Sequence, residues 1–287
     1  MPCCARRMDS VTRAGLRLDV HDHPPDTAAP DGEPAPVVVL LHGFPQDSSA
    51  YDAVVPLLTA AGARVLVPDQ RGYSPGARPR GVRAYALPEL VADVVAVLDA
   101  AGAGRAHVVG HDWGGVVAWA FAHRHPDRTA SLTALSTPHP GAVRTGTRRG
   151  TQALRSAYVL AFQLPWLPER VLLARGGAVL RRSLVRTGLA GAAVDRYVAR
   201  MRQPGALAAA LAWYRALRVP GRGGTGPVEV PTTYVTARRD PFFAASSVAG
   251  TAAHVTGPFT QVDLDADHWL PEHRPAEVAA AVLTRLR

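Results

Sequence analysis

The sequence predicts an α/β protein: a mostly parallel sheet flanked by helices, with a helical segment inserted late in the chain. Three observations predict it. Short apolar runs bounded by turn residues alternate with stretches of helical periodicity. At 106–121, "AHVVGHDWGGVVAWAF" passes from an apolar strand through a glycine-flanked turn directly into a helix. Between 141 and 224 the strand signals stop, while Ala-, Leu- and Arg-rich helical patterns continue.

Taken in order, a weakly signalled pair of strands near "GLRLDV" opens the sheet. The stronger strands are 36–44, 63–69, 106–110, 130–137, 232–238 and 259–265. They are short, β-branched and mostly unalternating, the pattern of strands buried on both faces. Helical periodicity falls at about 49–62, 88–102, 114–125 and 275–286. Strands joined by helices imply parallel pairing with right-handed crossovers, and in such sheets functional groups gather at the strands' carboxyl ends. The expected organisation is a flexible tail at 1–11, a core at 12–140 and 225–287, and a helical cap at 141–224. "GRGGTGP" (221–227) punctuates the return to the core.

The chain of 287 residues, 47% hydrophobic, is long enough for one domain with a large core and an insertion. No apolar run reaches the ~18 residues of a membrane span, and the N-terminus has no secretory apolar segment. The expectation is a cytoplasmic protein with no membrane partner, and Met8 is a candidate start residue. The only cysteines, Cys3 and Cys4, are adjacent at the terminus, and no metal or cofactor is expected from them. There is no lysine, and 15 arginines against two acids give 141–224 a local balance of +13. Those arginines lack interleaved stacking aromatics or a recognisable module, so no nucleic-acid partner is expected. A solvated basic surface is the default reading, with attraction of acidic ligands second to it. A small molecule is the expected partner; a homodimer is compatible with the sequence.

In "GHDWGG" Gly110 and Gly114 occupy the flanks of a Gly-x-Ser-x-Gly nucleophile elbow, but the centre is Asp112. A nucleophile there needs an acid and then a histidine on later strand ends. Asp240, after 232–238, and His268, after 259–265, stand in that order. Asp263, Asp265 and Asp267 compete for the acid role from the histidine's own segment. His21 and His23 are placed in the tail, His123 and His125 at helix ends, and His273 in an exposed loop. "HGFP" (42–45) follows the first central strand, so the backbone N–H groups of Phe44 and Trp113 are the expected oxyanion hole. His42 is assigned a structural role in that turn.

"HGFPQ", "DQRGY", "GHDWGG", "RRD" and "DHW" occur here in the order and spacing of one superfamily. With them, nearly the whole chain after residue 12 resembles the α/β hydrolases. Within these it is similar to soluble epoxide hydrolases and, next, to haloalkane dehalogenases. The resemblance implies the α/β-hydrolase fold, a cis Phe44–Pro45 peptide, and opening of an epoxide to a vicinal diol. It implies two cap tyrosines as proton donors: Tyr158 in "YVLAFQLP" and Tyr214 in "AWYRAL". The bland alternative is that both merely fill the cap core, where a buried hydroxyl needs a partner anyway. The dehalogenase reading meets specific obstacles: Phe44 stands where those enzymes carry Asn. Trp113 and Val116 stand where fluoroacetate dehalogenases carry an arginine pair. Departures from the family pattern are the "SPGARP" ending of the "DQRGY" loop and Asp267 in place of Gly. Asp267 is expected to raise the pKa of His268.

Chemistry gives the carboxylate its reason. An aspartate attacking an acyl group would form a mixed anhydride, a poor intermediate. Against an sp³ carbon a carboxylate is ionised without a base and leaves an ordinary ester. A non-catalytic ligand-binding protein of the same fold is the reading from a different class.

Overall fold

The computed structural model describes residues 7–27, 34–219 and 225–286. The first part of the expected tail, with Cys3 and Cys4, lies outside the described residues, as do 221–224 of the Gly-rich stretch. Eight strands form one sheet in the order β1-β2-β4-β3-β5-β6-β7-β8. They are β1 (Ser10–Arg13), β2 (Leu16–His23), β3 (Val37–Leu41), β4 (Arg64–Pro68), β5 (Ala106–His111), β6 (Thr129–Leu135), β7 (Thr232–Ala237) and β8 (Phe259–Leu264). β1 and β2 pair antiparallel, as do β2 and β4, and all other neighbours are parallel. Within the range expected as tail, β1 starts at Ser10 and the Met8 N–H donates to Asp22 Oδ2 at 2.9 Å.

Alternate residues of the central strands enter opposite core layers, as a period of two requires. Val39 and Leu41 pack on one side with α2 (Leu87–Ala100) and α3 (Trp113–Arg124). Val38 and Leu40 pack on the other with α1 (Val55–Ala60) and α12 (Pro275–Leu283). β8 departs from the double-sided burial expected of it: as the sheet edge it has only partly buried and exposed residues. The helix expected over 49–62 is divided into a 3₁₀ turn at Ser48–Tyr51 and α1. Pro56, in the first turn of α1, has no N–H with which to continue a helix from the preceding turn.

Between β6 and β7 the chain forms α4 (Pro140–Arg149), α5 (Gln152–Arg155), α6 (Ala157–Phe162), α7 (Leu167–Arg186), α8 (Gly191–Met201) and α9 (Ala206–Ala216). No strand interrupts them among the described residues. α7 is broken by non-helical backbone at Ala174–Gly177, where Arg175, Gly176 and Gly177 have positive φ. Two short helices, α10 (Ala245–Ala249) and α11 (Leu270–His273), lie in the core after β7 and β8. No helix among the described residues is long and apolar enough to cross a membrane.

The β5–α3 junction is a tight crossing. A Cβ on Gly114 would overlap the Leu41 carbonyl, and one on Gly110 would overlap Gly114 backbone. Gly114→Ala is therefore expected to cost about 3 kcal/mol in urea unfolding, because rigid backbone has to move. Gly104→Ala, with no neighbour within 4 Å, should leave the unfolding midpoint nearly unchanged.

Candidate active site

Asp112 sits between the end of β5 and the start of α3 with φ 51° and ψ −120°. No L-residue relaxes there, and such a conformation costs of order 1–3 kcal/mol. The close-packed glycines on either side hold it, and the Asp112 carbonyl accepts from Thr137 Oγ1 at 2.9 Å. The turn thus lifts the carboxylate clear of the sheet. Its Oδ1 accepts the Phe44 N–H at 2.8 Å, and its Oδ2 lies 3.6 Å from His268 Nε2. Trp113 opens α3, so its N–H is one of the first-turn donors with no acceptor inside the helix. Burial alone pushes the Asp112 carboxyl up. The nearby His268 imidazole, the hydrogen bond from the Phe44 N–H and the neighbouring His111 reverse that and hold it below the usual range.

His268 is buried, and its Nδ1 lies 2.7 Å from Asp240 Oδ2. The other Asp240 oxygen accepts the Phe242 N–H at 2.7 Å, which fixes the carboxylate's rotation. Ser136 Oγ and His111 Nε2 both reach the His268 carbonyl, at 2.9 and 2.7 Å. Burial lowers the imidazole's proton affinity, but Asp240 and Asp112 outweigh it and push its pKa up to about 10. Asp267 is not the source of that rise, contrary to expectation. Its carboxylate turns away to accept the Trp269 N–H and to contact the His273 ring, at 3.1 and 2.9 Å. The other competing acids are also engaged elsewhere: Asp263 with Thr236 and Gln261, Asp265 with Arg239.

Asp112 and Trp113 line a cavity of about 350 Å³ together with Tyr158 from α6 and Tyr214 from α9. The two tyrosine rings meet edge-on at 6.1 Å, and Tyr214 also packs edge-on against Trp113 and Phe44, at 5.0 and 5.6 Å. Burial raises both phenols, and the Asp112 charge raises them further, so both stay protonated at neutral pH. The sequence contexts of these tyrosines have a structural reason. Gln163 Nε2 donates to the Tyr214 carbonyl at 2.9 Å, and Arg215 Nε donates to the Phe162 carbonyl at 3.0 Å. Arg215 also grips Glu169 with two bonds, at 2.7 and 3.0 Å. α6 and α9 are thereby locked together with their tyrosines on the same cavity.

Sequence reasoning missed a buried network behind the site. The Gln46 amide oxygen accepts the Gly43 N–H at 2.8 Å, just before the Phe44 donor. Its amide nitrogen donates to Glu272 Oε1 at 2.8 Å, and Tyr197 Oη of α8 donates to the same oxygen at 2.8 Å. Glu272 therefore ties the turn after β3 to the helical insertion. Burial, opposed by those two bonds, pushes Glu272 up to about 7 from 4.5. A raised acid favours folding fully below about pH 4.5, and this contribution fades as pH climbs through about 7. Glu272→Gln has no such dependence. Between about pH 5 and pH 8 the wild type should lose up to about 3 kcal/mol relative to it in chemical unfolding.

The other histidines placed from the sequence sort plainly. His42 is buried in the turn, its Nδ1 3.0 Å from the Gly43 carbonyl and its Nε2 accepting the Gln70 N–H at 3.2 Å. His21 and His23 belong to β2 and not to a tail, because the chain pairs with β4 through them. His273 closes α11 against Asp267 and is not in an exposed loop. His123 and His125 stand at the end of α3, as expected. The Phe44–Pro45 peptide is cis. Among the described residues no cluster of three or more His, Cys, Asp or Glu is placed to hold a metal ion.

The profile of the alpha/beta hydrolase fold family matches residues 36–275. AB hydrolase superfamily protein YfhM of Bacillus subtilis is 35% identical over 91% of this chain and 93% of its own length. Epoxide hydrolase A of Mycobacterium tuberculosis is 35% identical over 88% of this chain and 91% of its own. Among solved structures, Epoxide Hydrolase A from Mycobacterium thermoresistibile superposes with a TM-score of 0.79 at 29% identity, covering 97% of both chains.

Proposed function

The chain belongs to the alpha/beta hydrolase fold family, and on that premise we propose that it is an epoxide hydrolase working through a covalent ester on Asp112. The observation that carries the proposal is the elbow: a carboxylate, not a hydroxyl, faces His268 Nε2 at 3.6 Å and shares its cavity with two protonated tyrosines. The helices between β6 and β7 act as the cap that brings those tyrosines over the nucleophile.

Asp112 attacks one epoxide carbon, the ring C–O bond breaks, and Tyr158 or Tyr214 gives its proton to the departing oxygen. Esterification removes the Asp112 charge, one of the two that hold His268 protonated. His268 then sheds its proton, which matches the one the tyrosinate needs. Now neutral, and oriented by Asp240, it takes a proton from water as the water attacks the ester carbonyl carbon. The oxyanion receives the N–H groups of Phe44 and Trp113. Its collapse breaks the bond to the alkyl oxygen, which takes the hydroxyl proton of the intermediate to complete the diol, leaving Asp112 as a carboxylate beside protonated His268. No external base is needed for the first half and no cofactor for either.

Turnover of mono- and disubstituted epoxides to vicinal diols tests the reading, with Asp112→Asn expected to remove it. Halide release from haloalkanes without diol formation, or tight epoxide binding without turnover, would overturn it. Among the described residues Arg144 is the one basic side chain lining the cavity. An epoxide with a remote carboxylate should accordingly lose kcat/KM with added salt relative to a neutral one, since the Debye length is ~10 Å at 0.1 M. Equal salt responses would reduce the basic character of the cap to solvated surface.

A further inference from the structure

Nine of the ten large apolar side chains exposed among the described residues lie between Leu154 and Leu217. Five of them crowd a dozen residues: Leu160 (68% exposed), Leu164 (47%), Trp166 (61%), Leu167 (41%) and Val171 (48%). Their outward direction is imposed by the packing beneath. Tyr158 and Phe162, one helical turn apart, hold the inner face of α6 against Tyr214 of α9. That leaves Leu160 on the outer face. Arg215 Nη2 fastens the Leu164 carbonyl at 2.7 Å, which fixes the loop that presents Leu164 and Trp166. Leu167 and Val171 are again one turn apart on α7, and the Arg170 guanidinium lies 5.7 Å over the Trp166 ring. A concentration of apolar surface like this marks an interaction site.

From the geometry we infer that the outer face of α6 and the start of α7 docks on an anionic lipid bilayer. Charge selects this occupant. Arg170 and Arg175 are exposed along the same stretch, and Glu169 is the only acid between Gly141 and Val194. Glu169 is already held by Arg215. A second copy related by a two-fold axis would press this face on itself, arginines against arginines, with no free acid to answer them. Nucleic acid would satisfy the arginines but leave four exposed aliphatic side chains against a polar backbone. A bilayer with acidic headgroups answers both features. The aliphatic side chains enter the acyl boundary, the Trp indole sits at headgroup depth, and the arginines reach the phosphates. Surface docking of this kind needs no spanning helix, and the inference does not depend on what the cavity hydrolyses.

The test uses the full chain with phosphatidylcholine vesicles, with and without phosphatidylglycerol, read by cosedimentation. Binding is expected to the phosphatidylglycerol vesicles and to weaken with NaCl, as the Debye length shrinks from about 10 Å at 0.1 M to about 3 Å at 1 M. L160Q/W166N should lower the partition coefficient about ten-fold or more, which one such side chain entering the acyl region supplies. Asn suits position 166, where φ is 52°. A second variant, R170E/R175E, reverses exposed charge, removes the Arg170 guanidinium from the Trp166 ring, and should abolish the preference for phosphatidylglycerol. Three results would overturn the inference. The wild type fails to sediment with anionic vesicles at low salt, or both variants partition as the wild type does. The third is a dimer at sedimentation equilibrium that L160Q/W166N dissociates, which would assign the face to a second copy.

Discussion

His268→Ala, mixed with a small excess of epoxide, is expected to gain the mass of one epoxide per chain and to keep it. The expectation follows from the division of labour in the site. Asp112 needs no base for its attack, because the Phe44 N–H and the facing His268 imidazole already hold it ionised. Removing the imidazole takes away the facing charge but leaves the hydrogen bond from the Phe44 N–H, so alkylation continues. The second step loses the base that faces Asp112, and general-base losses run to roughly 10²–10⁴-fold. The ester therefore accumulates. Wild-type enzyme in ¹⁸O-water adds a complementary readout in a single turnover. The diol takes its new oxygen from Asp112 and stays unlabelled, while the label enters the Asp112 carboxylate. If Asp112 served instead as a base for direct attack of water, the diol would carry the label and the variant would gain no mass. That result would sink the covalent mechanism with every side chain still in place.

The double variant Tyr158→Phe, Tyr214→Phe is expected to lose nearly all ring opening, by roughly 10²–10⁴-fold, because an alkoxide then leaves without a proton. Each single variant should lose less, since the two rings stand 6.1 Å apart on one cavity and the remaining hydroxyl can still donate. Loss of folding is not the expected cause: Phe keeps the edge-on contacts of Tyr214 with Phe44 and Trp113. The Gln163 and Arg215 bonds that join α6 to α9 go to backbone carbonyls and survive. Phenyl for phenol thus isolates the proton. A double variant with wild-type turnover would return both tyrosines to cap packing.

Much of the site was legible in the sequence because its parts are set by short-range backbone chemistry. The elbow is a strand, a turn and a helix within 16 residues, and only glycine fits where Gly110 and Gly114 touch neighbouring backbone. Asp240 and His268 follow their strands by a few residues, so strand order alone carried them to the same sheet edge. What failed were statements about neighbours. Asp267 is adjacent to His268 in sequence, yet its side chain points to His273, six residues on, and Asp240, 28 residues away, faces the imidazole.

By itself, then, the sequence determined the α/β fold, the electrophile class that an aspartate at an elbow suits, and the order of the groups that serve it. These follow from periodicity, turn sterics and the intrinsic chemistry of a carboxylate. Only the tertiary structure decided which oxygen faces which donor, and that Gln46 and Glu272, 226 residues apart, share a buried hydrogen bond that also involves Tyr197 of the insertion. It alone decided, too, which apolar residues of the insertion are covered. Leu160 and Phe162 are equally apolar and two residues apart. On a helix that spacing sends them to opposite faces. Contact with α9 covers Phe162, and nothing among the described residues covers Leu160 to the same degree. Burial and hydrogen-bond partnership depend on what else fills the space, and that is a property of the whole packed chain.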